Sequence, residues 1–322
     1  MTHSQYPDPA LLSPQSIAPD IQQRNAQIVQ AMAQMPDWWV IGPPAFRQSQ
    51  REGAGVFPAP MFSERARSRH IEGPSGPLKL REFLPAQGAP RGVYLHIHGG
   101  GWVIGSADMQ DSMLLALADQ AQLAVLSVHY RLAPEHRYPA APDDCEAAAL
   151  WLVAHGAETY GVQKLFIGGE SAGAHLSAVT LLRLRERLEH CPFAGANFNF
   201  GVFDLTLTPS ARQFGNQRLF LRTLDMVQFR DAFLPGVEEL RAPDISPLYG
   251  DLRQLCPALF TVGTADALLD DSLFMHARWL AAGNPGRLDV YPGAPHGFFR
   301  LGDAHTQQSM RTQIGFLREL LA

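Results

Sequence analysis

Basic residues never accumulate in this chain. The densest stretch, Arg65 to Arg69, alternates arginine with other residues, and the formal net charge is −5. Without a basic face, a nucleic-acid partner is excluded. Cysteine is scarce: Cys145, Cys191 and Cys256 are odd in number, far apart and in neither CxxC nor metal-ligand spacing. That argues against a disulfide framework and against a zinc site. No run of about 18 apolar residues occurs, so no membrane span is expected. Met1 to Pro19 also lacks the basic start and apolar core of a secretory signal, which makes the cytoplasm the expected location. Charged residues are few, 18% against 46% hydrophobic, which supplies a sizeable core. At 322 residues, a single elaborated domain is expected rather than two.

From Leu78 onward, short apolar runs alternate with helical patterns. The strand candidates are Leu78–Leu84, Val93–Ile97, Ala124–His129, Leu165–Ile167, Ala196–Phe203, Ala258–Val262 and Leu288–Tyr291. Helical stretches lie between and after them at Asp111–Gln122, Asp143–His155, Ala172–Leu188, Ser272–Ala282 and Thr306–Leu321. This alternation predicts an α/β fold: a mostly parallel central sheet flanked by helices on both faces. Two regions depart from it. Residues 1–60 hold a helix-like piece, Ile17–Met35, and an aromatic, proline-rich passage, Trp38–Pro44, that reads as an appendage. The stretch Leu205–Val237 scatters Phe214, Phe220, Phe229 and Phe233 among polar residues and reads as an inserted cap. The expected organisation is an N-terminal cap segment at 1–60 and a catalytic domain at 61–322 that carries the insertion.

The densest chemical signal is Gly169-Glu170-Ser171-Ala172-Gly173, between a buried strand and a helix. Glycines at G-x-S-x-G spacing omit the Cβ atoms that would block a sharp strand-to-helix turn, so Ser171 projects above the helix N-terminus as a nucleophile would. Such a hydroxyl needs a general base, a group that orients the base, and donors for an oxyanion. Upstream, His98-Gly99-Gly100-Gly101-Trp102 follows a strand. A glycine run there lets backbone N–H groups converge on an anion, together with the N–H of Ala172. Downstream, Asp266 ends a strand and His296 lies in the loop Pro292–Phe298, so the order is Ser, Asp, His, as in α/β-hydrolases.

With Tyr130-Arg131-Leu132-Ala133-Pro134-Glu135-His136 added to those segments, the chain resembles the bacterial hormone-sensitive lipase family of esterases within the α/β-hydrolase fold. The resemblance runs from about Leu78 to the C-terminus. It implies an α/β-hydrolase sheet with a helical cap, and a serine carboxylesterase acting on small-molecule esters with short to medium acyl chains. It further implies Ser171 as nucleophile, His296 as general base and then acid, and Asp266 as its orienting carboxylate. The oxyanion site falls on Gly99, Gly100, Gly101 and Ala172, with Gly99 shaping the turn and the choice among glycines left open. No metal or organic cofactor is implied, and a homodimer is compatible with the sequence. Glu170 stands where Asp or Thr usually precedes the nucleophile in the family, a change that removes no catalytic group.

Competing readings exist for several residues. Asp270 and Asp271 also lie near the base, but their ordinary role is to favour the dipole of the following helix. His129, His155, His175, His190 and His276 sit in strand- or helix-like contexts that suit packing or surface roles. His98 reads as a brace for the glycine loop and Glu135 as a carboxylate tying loops together. Trp38, Trp39, Trp102, Phe214 and Phe220 suit either a substrate pocket or plain packing. An amidase or carbamate hydrolase on the same residues is the alternative function. A ligand-binding module of the receptor type is disfavoured by the presence of His296.

Overall fold

A computed structural model describes residues 8–53 and 58–322. Eight strands form one sheet in the order β1-β2-β4-β3-β5-β6-β7-β8. They are β1 (Arg67–Gly73), β2 (Gly76–Phe83), β3 (Gly92–Ile97), β4 (Leu123–Val128), β5 (Leu165–Glu170), β6 (Gly195–Asn199), β7 (Ala258–Ala265) and β8 (Gly286–Pro295). From β4 to β8 every pairing is parallel, whereas β1 and β2 join antiparallel at one edge. The apolar runs read from the sequence become these central strands because both faces are covered, leaving β3, β4, β5 and β6 buried at every position.

Side chains alternate across the sheet with period two. On β3, Val93, Leu95 and Ile97 face a large cluster that includes α5 (Ala140–Tyr160), α6 (Ala172–Leu188) and α9 (Leu269–Ala281). Tyr94 faces the opposite side, where α4 (Asp111–Ala121) and α10 (Ala304–Leu321) contribute Leu114, Leu117, Leu317 and Leu321. Among the described residues, no helix is long and apolar enough to cross a membrane.

Three expectations need correction. Trp38–Pro44 is no loose appendage: α2 (Trp38–Ile41) and α3 (Pro43–Glu52) form there after α1 (Pro19–Met32), and Trp38, only 7% exposed, joins the main core. The apolar run Ala196–Phe203 is strand only to Asn199, since Phe200 takes φ 38° and turns the chain out of the sheet. The loop expected at Pro292–Phe298 starts later, because β8 runs on to Pro295, directly before His296.

Residues 8–53 are tied to the body by long-range polar contacts. Asn25 donates to the Gly293 carbonyl at 2.7 Å, and Arg47 reaches the carbonyls of Val103 and Ala133 and the Glu135 carboxylate at 2.8–2.9 Å. Within Leu205–Val237, α7 (Pro209–Gln213) and α8 (Thr223–Phe233) form. Arg218 and Arg222 of this stretch both pair with Asp37, so the two pieces clasp each other. Residues 1–7 and 54–57 of the proposed cap segment lie outside the described residues.

Candidate active site

Parallel strands deliver their C-terminal ends to one rim of the sheet, and loops leaving that rim carry the chemistry in folds of this class. Ser171 leaves β5, Asp266 leaves β7, His296 leaves β8, and the glycine run leaves β3. Three side chains far apart in sequence thereby meet. His296 Nε2 lies 3.0 Å from Ser171 Oγ, and His296 Nδ1 lies 2.9 and 3.1 Å from the two carboxylate oxygens of Asp266. Asp266 is 3% exposed and also accepts the Leu268 N–H at 2.8 Å. Phe200 stands edge-on to the His296 ring, with centroids 5.1 Å apart, and packs the side of the imidazole.

The elbow explains its own glycines. Ser171 is held at φ 56°, a conformation that costs a non-glycine residue energy and that the surrounding packing must enforce. A Cβ at Gly169 or at Gly173 would overlap the Ile97 carbonyl oxygen, because β5 and the start of α6 press directly on β3. The Ser171 N–H donates to the Asn199 carbonyl at 2.9 Å, and the His175 N–H to the Ser171 carbonyl at 3.1 Å, locking both sides of the turn.

The glycine loop faces the same hydroxyl. Gly100 and Gly101 take φ 115° and 58°, left-handed values that favour glycine. The N–H groups of Gly100, Gly101 and Ala172 have no hydrogen-bond partner among the described residues. The Gly99 N–H, by contrast, donates to Glu170 Oε1 at 2.7 Å and is spoken for. His98 sits beneath the loop with Nδ1 2.8 Å from the Gly99 carbonyl, its ring stacked on Tyr130, whose hydroxyl donates to the His98 carbonyl at 2.9 Å. Burial lowers the His98 pKa to about 3, so the ring is neutral and serves as a brace.

Asp270 and Asp271 do not reach His296. Asp270 accepts the Ser210 N–H at 2.8 Å; Asp271, fully buried, accepts the N–H groups of Phe203 and Asp204 and the Thr208 hydroxyl. Their work is to tie the chain after β6 to α9, more specific than a dipole effect. His175 is buried in α6, and His276 is buried in α9.

Above Ser171 lies a cleft of about 270 Å³. Its wall combines Trp38 from the N-terminal segment with Leu221, Met226 and Phe229 from the insertion. Trp102 and Phe220 line it too; Trp39 and Phe214 instead pack into neighbouring apolar clusters. The Phe229 ring lies so close to Gly101 that a Cβ there would overlap it. Neither the Glu170 contacts nor the Phe229 placement was read from the sequence. A carboxylate inside a buried elbow, which must find donors, was the available signal for the first.

Comparison with known proteins agrees with this architecture. The family model for the alpha/beta hydrolase fold matches residues 94–300. The carboxylic ester hydrolase LipN of Mycobacterium tuberculosis is 33% identical over 265 residues, covering 80% of this chain and 70% of LipN. An esterase from Pyrobaculum calidifontis superposes with a TM-score of 0.83 at 25% identity, covering 94% of this chain and 99% of its own. An esterase of the bacterial hormone-sensitive lipase family superposes with a TM-score of 0.80 at 27% identity, over 95% and 99%. With its parallel sheet, the elbow at Ser171 and a match across most of its length, this chain belongs to the alpha/beta hydrolase fold family, on its hormone-sensitive lipase branch.

Proposed function

We propose that this protein is a serine carboxylesterase that cleaves short to medium acyl esters by way of an acyl-enzyme on Ser171. The observation that carries the reading is the 3.0 Å approach of His296 Nε2 to Ser171 Oγ, with Asp266 on the far side of the same ring. Asp266 keeps the proton on Nδ1, which leaves Nε2 free to accept. As Ser171 attacks the ester carbonyl, His296 takes its proton and the carbonyl oxygen becomes an oxyanion. The N–H groups of Gly100, Gly101 and Ala172 receive that charge; each such donor is worth about 10²–10³ in kcat. His296 then protonates the departing alkoxide, and a water activated by the same imidazole releases the acid and restores Ser171.

Residues 1–60 and 205–237 act together as the cap in this reading. An apolar wall and a cavity of about 270 Å³ suit a compact acyl chain better than a long one. The test is hydrolysis of p-nitrophenyl butyrate by Ser171→Ala. The expected loss in kcat is about 10⁶-fold, as for removal of a triad serine elsewhere, and turnover near the parent rate would refute the assignment. An acyl series should peak between acetate and octanoate; a peak at long-chain triglycerides would overturn the substrate class.

A further inference from the structure

Glu170 has no part in the reaction just described, yet it adjoins the nucleophile and is only 7% exposed. Its carboxylate is held from three directions. Oε1 accepts the Gly99 N–H at 2.7 Å and the Gln110 side-chain amide, while Oε2 lies 3.0 Å from His96 Nε2. The other nitrogen of His96 lies 2.8 Å from Ser127 Oγ, so the network continues across β3 to β4. Backbone contact follows the same line: a Cβ on Gly99 would stand 2.7 Å from the Glu170 carbonyl oxygen and 3.3 Å from Ser171 Cβ. The glycine loop and the elbow therefore touch, and Glu170 supplies a directional bond across that seam.

We infer that Glu170 is a positioning residue for the oxyanion site: by binding the Gly99 N–H, it fixes the glycine loop against the elbow and sets where Gly100 and Gly101 point their N–H groups. This inference rests on the serine esterase reading above. Geometry decides the choice of residue. Gly99 lies against the elbow with no room for a Cβ, and its N–H, if left unpaired in this part-buried position, would favour loop conformations that turn it elsewhere. A bare negative charge beside a developing oxyanion would oppose catalysis. Donors from Gly99, Gln110 and His96 occupy the carboxylate, so its contribution is the anchored loop rather than its charge.

The test compares Glu170→Met, Glu170→Gln and Ser171→Ala for kcat, KM, melting temperature and inhibition by an aryl trifluoromethyl ketone, whose hemiketal places an oxygen anion on the same donors. Glu170→Met removes both acceptors at similar volume. Its kcat is expected to fall about 10²-fold, the scale of a loss from a misplaced site. Affinity for the ketone should fall by a comparable factor, while KM stays within about threefold because ground-state binding is left in place. Glu170→Gln keeps an oxygen for the Gly99 N–H and should recover most of the rate and of the ketone affinity. Glu170→Ala, which adds no bulk, takes the place of Glu170→Met if that variant does not fold. Parent-like kcat without the acceptor overturns the inference, as does a fall in melting temperature with ketone inhibition unchanged, or a Gln variant as slow as the Met variant. Full activity in Ser171→Ala sinks the esterase reading itself; an inactive Ser171→Ala beside an unaffected Glu170→Met sinks only the positioning role.

Discussion

Trp38 and Phe229 stack face to face, with ring centroids 4.9 Å apart and planes 13° from parallel. One ring comes from the N-terminal segment, the other from α8, and Phe229 rests on Gly101 of the glycine loop. The wall of the cleft is thus built by two separate pieces of chain meeting over the proposed oxyanion donors. Trp38→Ala removes the N-terminal segment's ring from that wall. Acyl preference should move toward longer chains, with the ratio of octanoate to acetate kcat/KM rising about tenfold, a usual scale for a pocket that gains room for methylenes. Folding stability should fall by about 3 kcal/mol, as for other buried tryptophans. An unchanged acyl profile would show that the substrate lies elsewhere in the cleft.

The clasp below this stack is ionic. Asp37 forms an ion pair with Arg218 at 2.8 Å and accepts from Arg222, which also holds Asp225; all four side chains are at least three-quarters buried. Asp37→Ala leaves Arg218 without this carboxylate. The expected cost is about 1–3 kcal/mol, from lost charge-assisted bonds and a partly desolvated cation. Limited proteolysis within residues 8–53 should accelerate in parallel, and unaltered cleavage kinetics would show that the clasp does not hold the segment.

Much of this arrangement was legible in the sequence, and for physical reasons. Central strands are covered on both faces, so Val93–Ile97 and Leu165–Ile167 appear as largely apolar runs, interrupted only by His96. Gly169 and Gly173 mark the elbow because neither position has room for a Cβ. Strand β1 escaped because it lies at the sheet edge with five of its seven residues polar and mostly exposed, so neither an apolar run nor a clean alternation marks it. Helix α3 escaped because its opening Pro43 and Pro44 belong to a passage that reads as an appendage, whereas proline is well accommodated in a first helical turn. The partner of Glu170 depends on how far the loop after β3 folds back over the end of β5, a tertiary fact that no local pattern encodes.

His175 makes an acid-sensitivity prediction. Its Nε2 lies 2.8 Å from the Ile245 carbonyl and its Nδ1 accepts from Trp102 Nε1 at 3.1 Å, an arrangement that requires a neutral ring. Burial lowers its pKa to about 4, below the unfolded value. A depressed histidine contributes stability that is present above about pH 6.5 and lost as pH falls through the folded value of about 4. The shift corresponds to about 3 kcal/mol. His175→Gln can still accept from Trp102 and donate to Ile245 without titrating. Denaturant unfolding between pH 7 and pH 4 should therefore show a flatter stability profile for the variant, and parallel profiles would remove His175 as the cause.

Gly173→Ala puts a methyl group into the Ile97 carbonyl oxygen, a clash with the backbone that no side-chain rotation relieves. The variant should lose more than about 3 kcal/mol of stability, the scale of severe overpacking. Its residual folded fraction should be inactive, because the same contact sets the elbow. Gly161→Ala, whose Cβ meets open space at φ 69°, should cost only about 1 kcal/mol from left-handed strain. Equal losses in thermal melts of the two variants would contradict the crowding assigned to Gly173.

The central claim is that Ser171 carries the acyl group. Rapid-quench of the protein with p-nitrophenyl butyrate, followed by peptide mass mapping, tests it most directly. A burst of p-nitrophenol stoichiometric with enzyme and a butyryl mass on the peptide containing Ser171 is the result expected, and both should vanish in Ser171→Ala. A butyryl mass on any other residue, in a protein whose turnover survives loss of the Ser171 hydroxyl, would contradict it.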